Sequence, residues 1–159
     1  NLLRISCLIS FGTYLEISTL KVNNSFIEDE VHVLISTNVH KHPTFSLEER
    51  VAMINKVVKD LKNVKVVTTD ELTVSYAQKN NINVIIRGLR NYTDYESEFQ
   101  LAQFNHDIDP HIETLLMFPY ANNQFISSSS IKELLTFNVD ISKYVPKEIK
   151  QDILNKFKK

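Results

Sequence analysis

Glycine is almost absent from this chain: only Gly12 and Gly88 occur in 159 residues. The glycine-rich devices that cradle phosphates, G-x-G-x-x-G and the Walker A loop, each need several glycines in one short stretch, so neither is possible. Any phosphate bound here is bound by other means. A single cysteine, Cys7, excludes an internal disulfide and fits a reducing compartment. Neither sign of charge is in excess: 18 Lys and Arg against 19 Asp and Glu give a net charge of −1. No overall field therefore recruits nucleic acid or an anionic membrane. No apolar run approaches the roughly 18–20 residues that a membrane span requires. The mildly apolar stretch from Leu2 to Leu20 is broken by Arg4, Ser6, Ser10, Glu16 and Ser18 and has no Ala-x-Ala cleavage site. These absences point to a cytoplasmic protein with no membrane or nucleic-acid partner.

What is present suits one globular domain spanning residues 1–159, with 43% hydrophobic and 23% charged residues. From about residue 30, strand-like and helix-like patterns alternate. Val31 to Ser36 is β-branched, apolar and short, which predicts a buried strand. Ser46-Leu47-Glu48-Glu49 is a capping box, and Leu47, Val51, Ile54, Val58 and Leu61 follow at helical spacing. Val64 to Val67 predicts a strand, Asp70 to Asn80 a helix with Leu72, Tyr76 and Ala77 on one face, and Ile82 to Ile86 a strand. A helix carrying Tyr92, Tyr95, Phe99, Ala102 and Phe104 comes next, then a buried strand from Ile112 to Phe118 stopped by Pro119. A serine-rich turn opens a helix near Ser128, and Pro146 sits as first residue of a last helix with Ile149, Ile153 and Phe157. Strands separated by helices, without hairpin signals, predict a doubly wound α/β domain with a parallel sheet covered on both faces. Ligands then sit beyond the carboxyl ends of the strands.

Three segments fall on that edge. Arg87-Gly88-Leu89-Arg90 places two guanidinium forks, suited to phosphate oxygens, beside a glycine that admits close backbone approach. Its competing reading is a pair of solvated arginines at a turn. Ser127 to Ser130 enter a helix, where hydroxyls and unpaired N–H groups make an anion site; Ser130 and Glu133 also have capping-box spacing, so a well-capped helix is the alternative. His40-Lys41-His42-Pro43 offers Lys41 to a phosphate. The two histidines have no acidic or cysteine partner nearby, so a solvated loop is preferred to a metal site. His32, His106 and His111 are expected to be structural and without partners. Asp94 and Glu96 suit the dipole of a helix start, while Glu98 is placed to reach a ribose or a neighbouring arginine. No Ser-His-Asp or Cys-His set supports covalent catalysis.

In order and spacing, Lys41-His42-Pro43-Thr44-Phe45-Ser46-Leu47-Glu48-Glu49-Arg50, Ile86-Arg87-Gly88-Leu89-Arg90, Asp94-Tyr95-Glu96-Ser97-Glu98 and Phe125-Ile126-Ser127-Ser128-Ser129 resemble bacterial phosphopantetheine adenylyltransferases across about residues 29 to 159. The resemblance implies a Rossmann-like nucleotidyltransferase domain that joins ATP to 4′-phosphopantetheine with Mg²⁺, giving dephospho-coenzyme A and pyrophosphate, in a homohexamer. It implies that Lys41 and Arg87 bind the acceptor phosphate, with Leu72 and Thr73 near the pantetheine arm. It assigns Gly88, Leu89, Arg90, Glu98, Asn123, Gln124, Phe125, Ile126, Ser127, Ser128 and Ser129 to ATP. Ser10 stands at both substrates, Phe11 at ATP, and Lys41 and Arg90 are the catalytic side chains. Positioning and charge stabilisation then carry the reaction, without a side-chain nucleophile.

The first 28 residues depart from that pattern, for they hold no proline and no histidine. The family opens with a Pro-Gly-Ser/Thr-Phe-Asp-Pro turn and a Gly-His pair. Here Ser10-Phe11 resembles the Ser-Phe step, and Tyr14 falls where the histidine belongs. A reading-frame or sequencing disturbance, a decaying gene and a divergent enzyme are the three explanations. They leave as alternatives a nucleotide-binding homologue without turnover and a nucleotidyltransferase with another acceptor; Lys41 argues against the latter.

Overall fold

Alternate residues along one strand face opposite sides of a sheet, and β2 (Glu30–Ser36) uses both sides to bury apolar groups. Val31, Val33 and Ile35 pack with Ile54 and Val58 of α1 (Leu47–Val58). Leu34 packs the other way, with Val74 and Ala77 of α2 (Thr73–Lys79). This two-sided burial explains why the strand reads as a continuous apolar run rather than an alternation. In the computed structural model, residues 6–10, 30–36, 43–118 and 126–157 are described.

The sheet is five-stranded and parallel, in the order β3-β2-β1-β4-β5. Its other strands are β1 (Ser6–Ser10), β3 (Val64–Thr69), β4 (Val84–Gly88) and β5 (Glu113–Met117). The remaining helices are α3 (Tyr92–Ile108), α4 (Ser128–Thr136) and α5 (Lys147–Phe157). The doubly wound parallel architecture expected from the sequence is the one observed. A third apolar cluster joins Phe45 and Met53 to Ile126, Ile131, Ile141, Val145, Ile149 and Ile153, so that α4 and α5 close over α1. Among the described residues, no helix is long and apolar enough to cross a membrane.

Several boundaries and faces differ from the sequence expectation. Leu72 is not on the buried face of its helix: it is the N-cap of α2 and is exposed, while Val74 takes the core position. The run from Ile112 to Phe118 is not a buried strand. β5 lies at the sheet edge with one neighbour, so Leu115 and Phe118 remain exposed. Pro146 precedes α5 and supplies the carbonyl that accepts from the Ile149 and Lys150 amides. The scarcity of glycine is met by asparagine. Asn81 and Asn138 take φ values of 54° and 57° just beyond α2 and α4. The Ile82 amide donates to Ala77 and the Asn81 amide to Gln78, a Schellman closure repeated at Val139 and Asn138.

Candidate active site

From β1 the chain winds outward through β2 and β3, then returns to build β4 and β5 on the other side. That reversal opens a crevice at the carboxyl ends of β1 and β4. Ile9 pairs with Ile86, and the next residues on the two strands are Ser10 and Arg87. Ser10 ends β1 in the described backbone. Phe11, Lys41, Asn123, Gln124 and Phe125 lie outside the described residues, as do Tyr14 and the rest of the segment where the family pattern breaks.

The β4–α3 junction is built around two arginine forks. Arg87 Nε and Nη2 each donate to one oxygen of Glu98 at 2.6 Å, with both side chains only 16–17% exposed. Arg90 Nε and Nη2 donate to Asp94 at 2.8 and 3.1 Å, and the Arg90 amide reaches the same carboxylate at 3.1 Å. Asn91 caps α3 by accepting from the Asp94 amide at 2.8 Å. The alternative of solvated arginines at a turn is therefore ruled out, since each is oriented by a carboxylate on α3. Glu98 does meet a neighbouring arginine, and that arginine is Arg87. Asp94 is more than a dipole partner; the i, i+4 spacing from Arg90 was the available signal.

Gly88 ends β4 opposite Met117, and the Leu89 amide extends the pairing by donating to the Met117 carbonyl at 2.8 Å. Gly88 does not have a positive φ, so it contributes its lack of a side chain rather than an unusual backbone angle. Leu89 is fully buried, which leaves only its backbone to face a ligand. Thr73 is the half-buried first residue of α2, beyond the end of β3 on the same edge.

At α4 the capping box is Ser127 with Ser130, not Ser130 with Glu133. Ser127 Oγ accepts from the Ser130 amide at 3.1 Å, and Ser130 Oγ accepts from the Ser127 amide at 2.7 Å. The helix starts one turn earlier than that expected box, because Ile126 anchors the preceding chain in the core. Ser128 and Ser129 form the first helical positions, whose amides have no intrahelical partner. The cap thus uses two serines and leaves two at the positive end of the dipole.

Titration shifts mark the neighbouring entry to α1. The Glu49 carboxyl lies below the ordinary range, mainly because Lys156 donates to it at 2.8 Å, and also because the Ser46 amide does so at 2.7 Å. Glu48 is lowered first by the Ser46 hydroxyl. Two of the three histidines expected to lack partners have one: His32 meets Tyr76 at 2.9 Å, and the exposed His111 meets Asp109 at 3.2 Å.

Residues 19–134 match the family model described as cytidylyltransferase-like. The matched stretch holds Thr73, both arginine–carboxylate pairs and the serine cap, so sheet order and site together define a nucleotidyltransferase-type domain. Two relatives carry the assignment further. The phosphopantetheine adenylyltransferase of Lachnoclostridium phytofermentans is 44% identical over 131 residues, covering 82% of this chain and 80% of the relative. That of Clostridium perfringens is 42% identical over 125 residues, covering 79% and 76%. The chain belongs to the phosphopantetheine adenylyltransferase family.

Proposed function

We propose that this protein transfers the adenylyl group of ATP to 4′-phosphopantetheine, forming dephospho-coenzyme A in coenzyme A biosynthesis. An oxygen of the acceptor phosphate attacks the α-phosphorus of ATP. The bond from that phosphorus to its bridging oxygen breaks, and pyrophosphate leaves. The observation that carries the reading is the pair of carboxylate-oriented arginines at the switch edge, in a chain 42–44% identical to proteins of that name.

Arg87, with Lys41, holds the acceptor phosphate, and Thr73 faces the pantetheine arm. Arg90 stabilises charge on the transferring phosphoryl group, assisted by Lys41; Gly88 and Leu89 offer backbone, and the α4 entrance from Asn123 to Ser129 receives the nucleotide phosphates. Ser10 and Phe11 complete the edge at β1. Glu98 acts through Arg87, orienting its fork. Mg²⁺ enters with ATP: it prefers phosphate oxygens and water to an all-protein cage, and the described residues hold no cluster of three or more acidic, histidine or cysteine ligands.

The protein works in the cytoplasm as a homohexamer. In support, α3 buries none of its residues within the protomer, and Tyr92, Tyr95, Phe99 and Phe104 are exposed along it. An apolar surface of this kind marks a protein contact. The test of the reaction is pyrophosphate release from MgATP with and without 4′-phosphopantetheine. Steady release that depends on the acceptor is expected; its absence would overturn the assignment.

A further inference from the structure

Among the described residues, His32 is the one buried polar side chain, 6% exposed at a strand position where Leu34 is the next residue on the same face. An imidazole in such a place costs free energy unless it is paired. Its Nδ1 lies 2.9 Å from the Tyr76 hydroxyl, with the rings tilted at 60°. Its Nε2 lies 3.2 Å from Glu30 Oε2, though off the line a hydrogen bond needs. Lys65 of β3 holds the same carboxylate and is the main cause of its lowered pKa. A carboxylate beside Nε2 favours the tautomer protonated there, so the Tyr76 hydroxyl donates to Nδ1.

Tyr76 belongs to α2, a helix of seven residues whose N-cap, Leu72, makes no side-chain capping bond. So short a helix is marginal in water and takes its stability from packing. Val74 and Ala77 provide the apolar part of that packing, and both are small. The Tyr76–His32 bond provides a directional part. One turn before Tyr76 stands Thr73. His32 itself is the third residue of β2, paired with Leu8 and Lys65 toward the amino ends of the strands, so it is remote from the ligand edge.

We infer that His32 and Tyr76 are positioning residues for the acceptor substrate: their bond fixes how α2 sits on the sheet, hence where Thr73 meets the pantetheine arm. The inference rests on the reaction proposed above. It separates the two substrates, because Thr73 opens α2 whereas the serine cap opens α4 and Arg90 stands at the β4–α3 junction.

Tyr76→Phe keeps the ring and removes the donor, leaving a buried nitrogen unpaired. Its KM for 4′-phosphopantetheine is expected to rise about three- to tenfold, with the KM for ATP unchanged. The double variant His32→Leu with Tyr76→Phe replaces both partners by apolar groups and is expected to recover most of that loss. Amide exchange across Val74 to Lys79 should be faster in the single variant than in the unaltered protein. A lower Tm with both KM values and the exchange unchanged would make the pair merely structural and overturn the inference, leaving the reaction standing. Absence of acceptor-dependent turnover in the unaltered protein would remove both.

Discussion

Arg87 and Glu98, eleven residues apart on β4 and α3, form a two-pronged ion pair with both bonds at 2.6 Å. The pair orients a guanidinium that would otherwise sample many rotamers. Glu98→Gln should lower stability by about 1–2 kcal/mol, since one partly buried charge loses its partner. It should also raise the KM for the acceptor. Arg87→Ala, which would remove the proposed donor to the acceptor phosphate, should lower kcat/KM by about 10²–10³. Urea unfolding and steady-state kinetics read the two effects separately. Loss of stability in Glu98→Gln with unchanged kinetics would detach the pair from the site.

Asp94 binds three groups at once: the Arg90 side chain, the Arg90 amide and, through its own amide, Asn91. Asp94→Asn leaves an acceptor but removes the charge that holds the fork. Turnover should fall about tenfold or more if Arg90 meets the charge that develops on the transferring group, as proposed. Arg90→Lys should not rescue Arg90→Ala fully, as an ammonium lacks the planar fork. Single-turnover rates with saturating MgATP would decide.

Ser127 caps α4, and in the proposed reaction it also faces the nucleotide. Ser127→Ala should cost about 1 kcal/mol of stability. Ser46→Ala, which breaks the corresponding box on α1, should cost a similar amount. Only the first should also raise the KM for ATP. Equal effects of the two on ATP would argue that α4 does not receive phosphate.

The acid limb of stability should follow the lowered carboxyls. Glu48, Glu49 and Asp109 all titrate below their ordinary values in the folded protein, Glu49 chiefly through Lys156. For a carboxyl lowered on folding, the stabilisation is present above the unfolded value, 4.5 for Glu49, and is lost as pH falls through the folded value. Tm should thus be level from neutral pH to about 5 and decline below. Glu49→Gln should flatten part of that decline, and salt should shrink the difference, because the pair is exposed. Thermal scans between pH 3 and 7 provide the check.

Tyr95 stacks on Phe99 at 5.8 Å on the outer face of α3, with both rings in reach of solvent. If the protomers assemble through this face, as proposed, Tyr95→Asp should break the assembly while leaving the protomer fold intact, because no buried contact within the protomer is lost. Sedimentation should then show the proposed hexamer giving way to smaller species. A hexamer that survives the change would move the contact elsewhere.

The sheet was legible in the sequence because β2, β3 and β4 are apolar runs bounded by helices with clear periods. Their helices announced themselves by Ser46 with Glu49 and by the spacing of Ile54 and Val58. β5 and α3 were read less well. A strand's composition does not tell whether it stands at the middle or the edge of a sheet, and an aromatic helix face looks alike whether it covers a core or a partner. At the site, the arginines and serines were visible as motifs, whereas their couplings were not. Glu98 reaches Arg87 across the β4–α3 junction, and Ser127 takes the cap because Ile126 is pulled inward. The link from His32 to Tyr76 spans 44 residues and has no local signature at all.

β2 distributes its side chains by parity: Val31, Val33 and Ile35 serve one helix layer, His32 and Leu34 the other. Strands with a solvent face can absorb a shift of one residue by exchanging core for water, but here both sides are interior. A single-residue insertion or deletion within it would exchange the two sets, bringing an imidazole against Ile54 and Val58 and a valine against the Tyr76 hydroxyl. Changes of two residues would preserve the sorting. The strand can therefore lengthen or shorten only in even steps, which makes this stretch a ruler for alignment with any relative that keeps both helix layers.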